Sequence, residues 1–398
     1  MSKIGDDILK RRVQDVEDDL RASGIEALVL FATGSVLGNQ SATHAYLRYL
    51  CDFDGHNAPA LLVLRPGYAP VLLTGTKLHM RPRLAESGLW FGDVRHVAPP
   101  ELGRHAAALL SESLSADARV AVIGYGEMTA PVWMSLERGL PGVAWVHDFQ
   151  NRIDRRRVRK SGVELAFHRK AAAVCDAMFG TLAGAVGADK PGFQLKAAME
   201  YAAREAGCDY CDTWLTAAPE ADFFRYHTDE CRRVPQRGDQ LLAGIMLTCG
   251  GHWGHAVRTG SVGVVAPGHR RLYDICRGMF DAALDALKPG EDLCRVDDAM
   301  GAVLHRHYAD DEVRWTRWGH GLGYAYEDPV ASAAFPNAWE RKSAEGREPI
   351  EALPGMLLEL HPHLFVPGAG GAMIGDMVLV TETGFEILTH YPRDLIVW

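Results

Sequence analysis

Short apolar runs bounded by glycine and proline alternate with helical patterns over the first 150 residues. IEALVLFA (25–32), APALLVLRP (58–66), APVLLTG (69–75) and ARVAVIGY (118–125) read as buried strands. ELGRHAAALLSESLS (101–115) carries the apolar spacing of a helix between them. This alternation predicts an α/β domain over 1–154. The basic stretch NRIDRRRVRKSG (151–162) then leads into a long helical pattern, VELAFHRKAAAVCDAMFGTLAGAV, so a second domain is expected over 155–398.

The second part has a different texture. Helices are predicted at 162–187, 191–206, 269–288 and 294–308. Strand pairs follow: DQLLAGIMLT with GHWGHAVRTGSVG, then PGMLLELHPHLFV with AMIGDMVLVTET and FEILT. Two helix pairs, each followed by strands, predict an internally duplicated α+β domain.

Composition adds little to this picture. The 398 residues are 47% hydrophobic and 23% charged, and the net charge of −9 comes without an acidic or basic block. That balance argues against a nucleic-acid or membrane surface. No apolar run is long enough to span a bilayer, and the N-terminus lacks a secretory h-region, so a cytoplasmic location is expected. The single CxxC, Cys208 to Cys211, has no second pair nearby and reads as free thiols rather than a zinc ribbon.

Candidate chemistry is concentrated in histidines on or beside strands in glycine-rich surroundings. They are His227 in RYHTDE, His252 and His255 in GHWGHAVRT, His320 in WGHGLGY, and His361 and His363 in LELHPHLF. Strand alternation puts Trp253 and His255 on one face, and Glu359, His361 and His363 on another.

The order of these segments resembles the M24, or pita-bread, family of creatinase, aminopeptidase P, prolidase and methionine aminopeptidase. The matching patterns are His227 twelve residues before Asp239, the pair Arg258-Thr259 ending a strand, GHGLG (319–323), the GM-strand-HP element (355–362) and GAGGAMIGDMVLVTETG (368–384). The resemblance implies an α/β N-terminal domain, a pita-bread catalytic domain and a homodimer. It also implies five metal ligands, which fall here on Gly244, His255, His320, His361 and Gly375. Every carboxylate ligand is thus replaced. A two-metal Xaa-Pro peptidase needs carboxylates to hold and neutralise both ions, so that activity is not expected. The glycines at 244 and 375 are expected to leave room for water or substrate.

Two readings of the three imidazoles stay open. His255, His320 and His361 suit one divalent transition metal, zinc, iron or manganese, with Glu359 as a fourth ligand, an orienting group or a base. Asp376 is turned away by strand alternation. Alternatively the site is metal-free, as in creatinase. There the position of His227 is the general acid/base, and the imidazoles hold substrate. Creatine itself is not expected, because Val257 stands where creatinase has a guanidinium-binding Glu. Glu327 occupies the position of a further family histidine and is a second acid/base candidate.

Trp253, Trp315, Trp318, Tyr324, Tyr326, Phe335 and Trp339 offer faces for a cationic or zwitterionic substrate. Trp253, Tyr324 and His363 are substrate-binding candidates, as are Arg48, His56 and Asn57 of RYLCDFDGHNAP. The expected activity is creatinase-like hydrolysis of a C–N bond in a small polar metabolite. A lyase or mononuclear-metal redox enzyme, and an inactive binding module, are the alternatives that the resemblance leaves.

Overall fold

The computed structural model describes residues 4–75, 89–187, 189–222, 232–340 and 348–398. His227 lies outside the described residues. The chain divides into two compact units, Met1–Arg157 with Tyr324–Tyr326, and Val158–Gly323 with Glu327–Trp398.

The first unit holds a six-stranded mixed sheet made of β1 (Ala27–Ala32), β2 (Ala60–Leu64), β3 (Val71–Thr74), β4 (Asp93–His96), β5 (Arg119–Ile123) and β6 (Ala144–Val146). The order across the sheet is β4-β3-β2-β1-β5-β6. β1, β2 and β3 are buried along their whole length, which is why they read as unbroken apolar runs rather than alternating ones. One face packs on the helices Asp6–Ala22 and His44–Cys51, and the other on Leu102–Ser111 and Ala130–Gly139.

The second unit is built from three sheets. β7 (Tyr210–Ala218), β8 (Gln240–Cys249), β9 (His252–Ser261) and the short β16 (Ile396–Val397) form one, in the order β16-β9-β8-β7. β10 (Gly319–Gly321), β11 (Leu357–Leu360), β14 (Asp376–Val380) and β15 (Phe385–Ile387) form a second, in the order β10-β11-β14-β15. β12 (His363–Val366) and β13 (Gly370–Met373) make a separate ribbon. The helices Gly162–Ala185, Gly192–Glu205, Pro267–Ala286 and Cys294–Leu304 occupy the windows expected of them. The first is fixed at its start by a capping box between Ser161 and Glu164, and its buried face packs on β8.

Two expected strands are each divided between two sheets. PGMLLELHPHLFV turns at His361-Pro362, where proline has no N–H to continue the ladder. AMIGDMVLVTET breaks between Met373 and Asp376. β7 was not anticipated; its sequence, YCDTWLTAA, has neither clean alternation nor a long apolar run.

Candidate functional site

His255 enters the site from β9, His320 from β10, and Glu359 with His361 from the end of β11. What joins these strands is a pair of backbone bonds. Val257 N–H donates to Gly375 O at 3.3 Å, and Gly375 N–H donates to Val257 O at 3.1 Å. This bridge ties the β9 sheet to the β14 sheet. Arg258 reinforces it, donating to Gly375 O at 2.6 Å and to Asp376 Oδ1 at 2.7 Å. Arg393 and Thr389 also bond the Asp376 carboxylate, which is therefore committed to the scaffold.

The three imidazoles gather there. Ring centroids are 5.5 Å apart for His255–His320, 5.5 Å for His255–His361 and 5.2 Å for His320–His361. His255 Nδ1 and His320 Nε2 are 3.4 Å apart, and His320 Nδ1 faces Gly321 O at 3.1 Å. With Nδ1 donating to that carbonyl, Nε2 presents a lone pair toward His255. Burial holds His255 well below the usual imidazole range, and neighbouring His320 adds to the effect. The same causes act on His361, with His363 contributing. Both are neutral at pH 7.

Glu359 completes the cluster. Its carboxyl is fully buried, with Oε1 4.0 Å from His255 Nδ1, and neither oxygen has a hydrogen-bond partner. Burial, then the Asp376 charge, raises it well above the usual carboxylate range, so it is a neutral acid with a proton to give.

Neither glycine leaves the room that the sequence suggested. A Cβ on Gly375 would lie 2.4 Å from Glu359 Oε1, so the Glu359 carboxyl takes the space a side chain at 375 would need. A Cβ on Gly244 would lie 2.1–2.3 Å from the Trp214 indole, which closes that side with an apolar ring.

These contacts decide which metal arrangements the residues fit. A two-ion carboxylate cage does not fit: beside the imidazoles Asp376 is tied up by Arg258, Thr389 and Arg393, which leaves Glu359, and the Trp214 indole occupies the space at Gly244. The donor chemistry suits a single ion: His361 Nε2 and both Glu359 oxygens are buried without partners. The His255–His320 separation also matches the roughly 3.4 Å between two nitrogens each ~2.0–2.1 Å from a tetrahedral ion. Among the described residues, however, no group of three or more His, Cys, Asp or Glu side chains is drawn together closely enough to hold a metal ion.

The remaining candidates are scattered. His363 stacks on His361 at 5.7 Å, accepts from Thr316 N–H at 2.9 Å through Nε2 and contacts His361 O at 2.9 Å through Nδ1. Both ring nitrogens therefore serve the scaffold rather than a substrate. Trp253 is 1% exposed and packs edge-on against Tyr210 at 5.4 Å. His252 stacks on Phe167 on the opposite face of β9. Glu327 sits on the surface in an ion pair with Arg317 at 2.6 Å, a poor position for an acid/base. Trp315 and Trp318 stack at 4.2 Å in the core beside Phe335, while Trp339 is 72% exposed, so these rings build no common cage.

In the first unit, Tyr324 packs edge-on against Tyr49. Arg48 is held by Asp54 at 2.9 Å, and His56 and Asn57 are exposed. Sequence reasoning missed Trp214 altogether; its only local signal is an aromatic residue on a strand that pairs with a glycine, Gly244.

Comparison with known proteins agrees with this fold. Residues 166–382 match the model of metallopeptidase family M24. The Bacillus subtilis protein YkvY, provisionally named a dipeptidase, is 30% identical over 164 residues, covering 41% of each chain. The agropine synthesis cyclase of Rhizobium rhizogenes is 35% identical over 126 residues, 32% of this chain and 28% of the cyclase. The alignments thus span less than half of either relative.

Among solved structures, the dipeptidase PepE of Mycobacterium ulcerans superimposes with a TM-score of 0.78 at 23% identity, covering 100% of this chain and 99% of PepE. The prolidase of Pyrococcus horikoshii OT3 gives a TM-score of 0.77 at 16% identity, covering 97% of this chain and 100% of the prolidase. Those likenesses establish the pita-bread fold. With the family model covering more than half of the sequence, the chain belongs to metallopeptidase family M24.

Proposed function

We propose that this protein is a creatinase-like, non-peptidase hydrolase that cleaves a C–N bond of a small polar or zwitterionic molecule. The observation that carries the reading is the gathering of three imidazoles beside one buried acid that has no hydrogen-bond partner. In this reading His255, His320 and His361 hold either the substrate or, drawn closer together than they stand, one divalent transition metal, zinc, iron or manganese. Such an ion supplies Lewis-acid polarisation of the scissile group.

The chain's own residues supply the rest. His227 is assigned the proton transfer to the leaving nitrogen. Glu359, protonated at neutral pH, donates a hydrogen bond or proton to charge developing beside His255. His320, oriented by Gly321 O, keeps its Nε2 lone pair on the cluster. Trp214 over Gly244 supports a one-centre site. That a matching relative is named a cyclase supports chemistry other than peptide hydrolysis within the family. The subunit is read as half of a homodimer located in the cytoplasm; among the described residues no helix is long and apolar enough to cross a membrane.

Elemental analysis of the purified protein, together with turnover of a panel of amides, amidines and Xaa-Pro dipeptides, tests the proposal. We expect at most one ion per chain, turnover of a non-peptide substrate, and a loss of about 10²–10⁴-fold in His227→Ala. Two tightly bound ions with dipeptide turnover would overturn it. That peptidase reading has one observation in its favour, the dipeptidase names of several relatives and structural neighbours.

A further inference from the structure

Behind the β7–β8–β9 sheet, away from the imidazoles, lies a second concentration of reactive side chains. Cys175, Cys208, Cys211 and Cys249 share one buried cluster with the helices Gly162–Ala185 and Gly192–Glu205. Along the sequence the cysteine nearest Cys208 is Cys211. The tertiary structure instead puts Cys208 Sγ 3.2 Å from Cys249 Sγ, 41 residues away at the far end of β8. That is closer than the ~3.5–4.0 Å at which even carbon atoms pack. A disulfide length of ~2.05 Å is about 1.2 Å shorter than this separation.

The backbone already holds the two thiols in register. Asp209 N–H donates to Thr248 O at 2.9 Å, and Gly251 N–H donates to Asp209 Oδ2 at 2.8 Å. Gly250 and Gly251, with φ of 56° and 76°, make the tight turn from β8 into β9, a conformation that glycine adopts without strain.

We propose that Cys208 and Cys249 form a reversible intramolecular disulfide when the protein meets a hydroperoxide. Cys208 is the attacking sulfur. It is 6% exposed whereas Cys249 is fully buried, so the oxidant reaches Cys208 first. Its thiolate is favoured by the contact with Cys249 and by the Lys170 charge, which together outweigh burial; the Cys249 thiol is shifted the opposite way.

The Cys208 thiolate takes the terminal oxygen of the hydroperoxide, breaking the O–O bond and releasing an alcohol, or water when the oxidant is hydrogen peroxide. The sulfenic acid so formed is attacked by Cys249 sulfur, which gives up its proton as the hydroxyl leaves as water. Two thiols lose two electrons and two protons, and one peroxide is reduced. The product staples the start of β7 to the end of β8, where Cys249 pairs with His252, three residues along β9 from His255. It is a modification site on the hairpin that carries a member of the imidazole cluster, and it does not depend on what that cluster binds.

The test uses the full-length protein, treated with hydrogen peroxide and mapped without reduction. We expect the eight thiols to fall to six, a peptide linking Cys208 to Cys249, a thermal midpoint raised by roughly 5–10 °C, and full reversal by dithiothreitol. Cys208→Ser and Cys249→Ser should each abolish the cross-link and the shift. A peptide linking Cys208 to Cys211, or Cys208 carried on to sulfinic acid with Cys249 still reduced, would overturn the proposal. The wild-type peptide map decides the matter even if a serine variant fails to fold.

Discussion

Gly244 and Trp214 face one another across β8 and β7, and the indole fits only because position 244 has no side chain. Reintroducing a carboxylate there is therefore a steric problem before it is an electrostatic one. Gly244→Asp should destabilise the protein by about 1–3 kcal/mol or more through overpacking. The double variant with Trp214→Ala should recover part of that loss, and urea midpoints measure both. Glu359 makes a second residue-scale prediction. Its pKa is raised, so the folded state binds a proton that the unfolded state releases above the ordinary carboxylate range. Its stability contribution is present below that range and is lost as pH rises. In metal-stripped protein, Glu359→Gln should raise the urea midpoint at pH 8 and leave it nearly unchanged at pH 4. An equal effect at both pH values would show that the acid is not held neutral.

At the scale of elements, the site depends on the junction of two sheets rather than on any one strand. Arg258 of β9 and Asp376 of β14 are both almost fully buried and meet at 2.7 Å, 118 residues apart in sequence. Asp376→Asn leaves the guanidinium with reduced compensation in a dry interior and should cost roughly 3–5 kcal/mol. Hydrogen exchange should then rise first at Val257 and Gly375, whose mutual bonds form the bridge between the sheets. The helices were legible because apolar positions recur every three to four residues over long windows. The breaks at Pro362 and Gly375 were not read as sheet boundaries. A period-two pattern does not say which sheet a strand joins, and each break moves the chain from one ladder to another.

For the whole molecule, stability should fall with acid in both units. Burial lowers His44 of the first unit and His269 of the second to about 4. A depressed imidazole pKa means that the unfolded state binds the proton first. The stability each residue contributes is full above pH ~6.5 and is lost as pH falls toward 4, roughly 3 kcal/mol apiece. Thermal midpoints taken between pH 7 and 4 should decline across that window. His44→Asn and His269→Asn should each flatten part of the slope; a slope unchanged in both variants would assign the acid loss to other groups.

Motif order along the chain pointed to the pita-bread fold and apolar spacing to the main helix windows, because both are local properties that survive in one dimension. What packs against Gly244 and Gly375 emerged in three dimensions. The Glu359 carboxyl over Gly375, the Trp214 indole over Gly244 and the Cys208–Cys249 contact each join residues 16 to 41 positions apart. Volume in a packed interior is shared among neighbours from different strands, so a glycine reads as a vacancy in one dimension and as a contact in three.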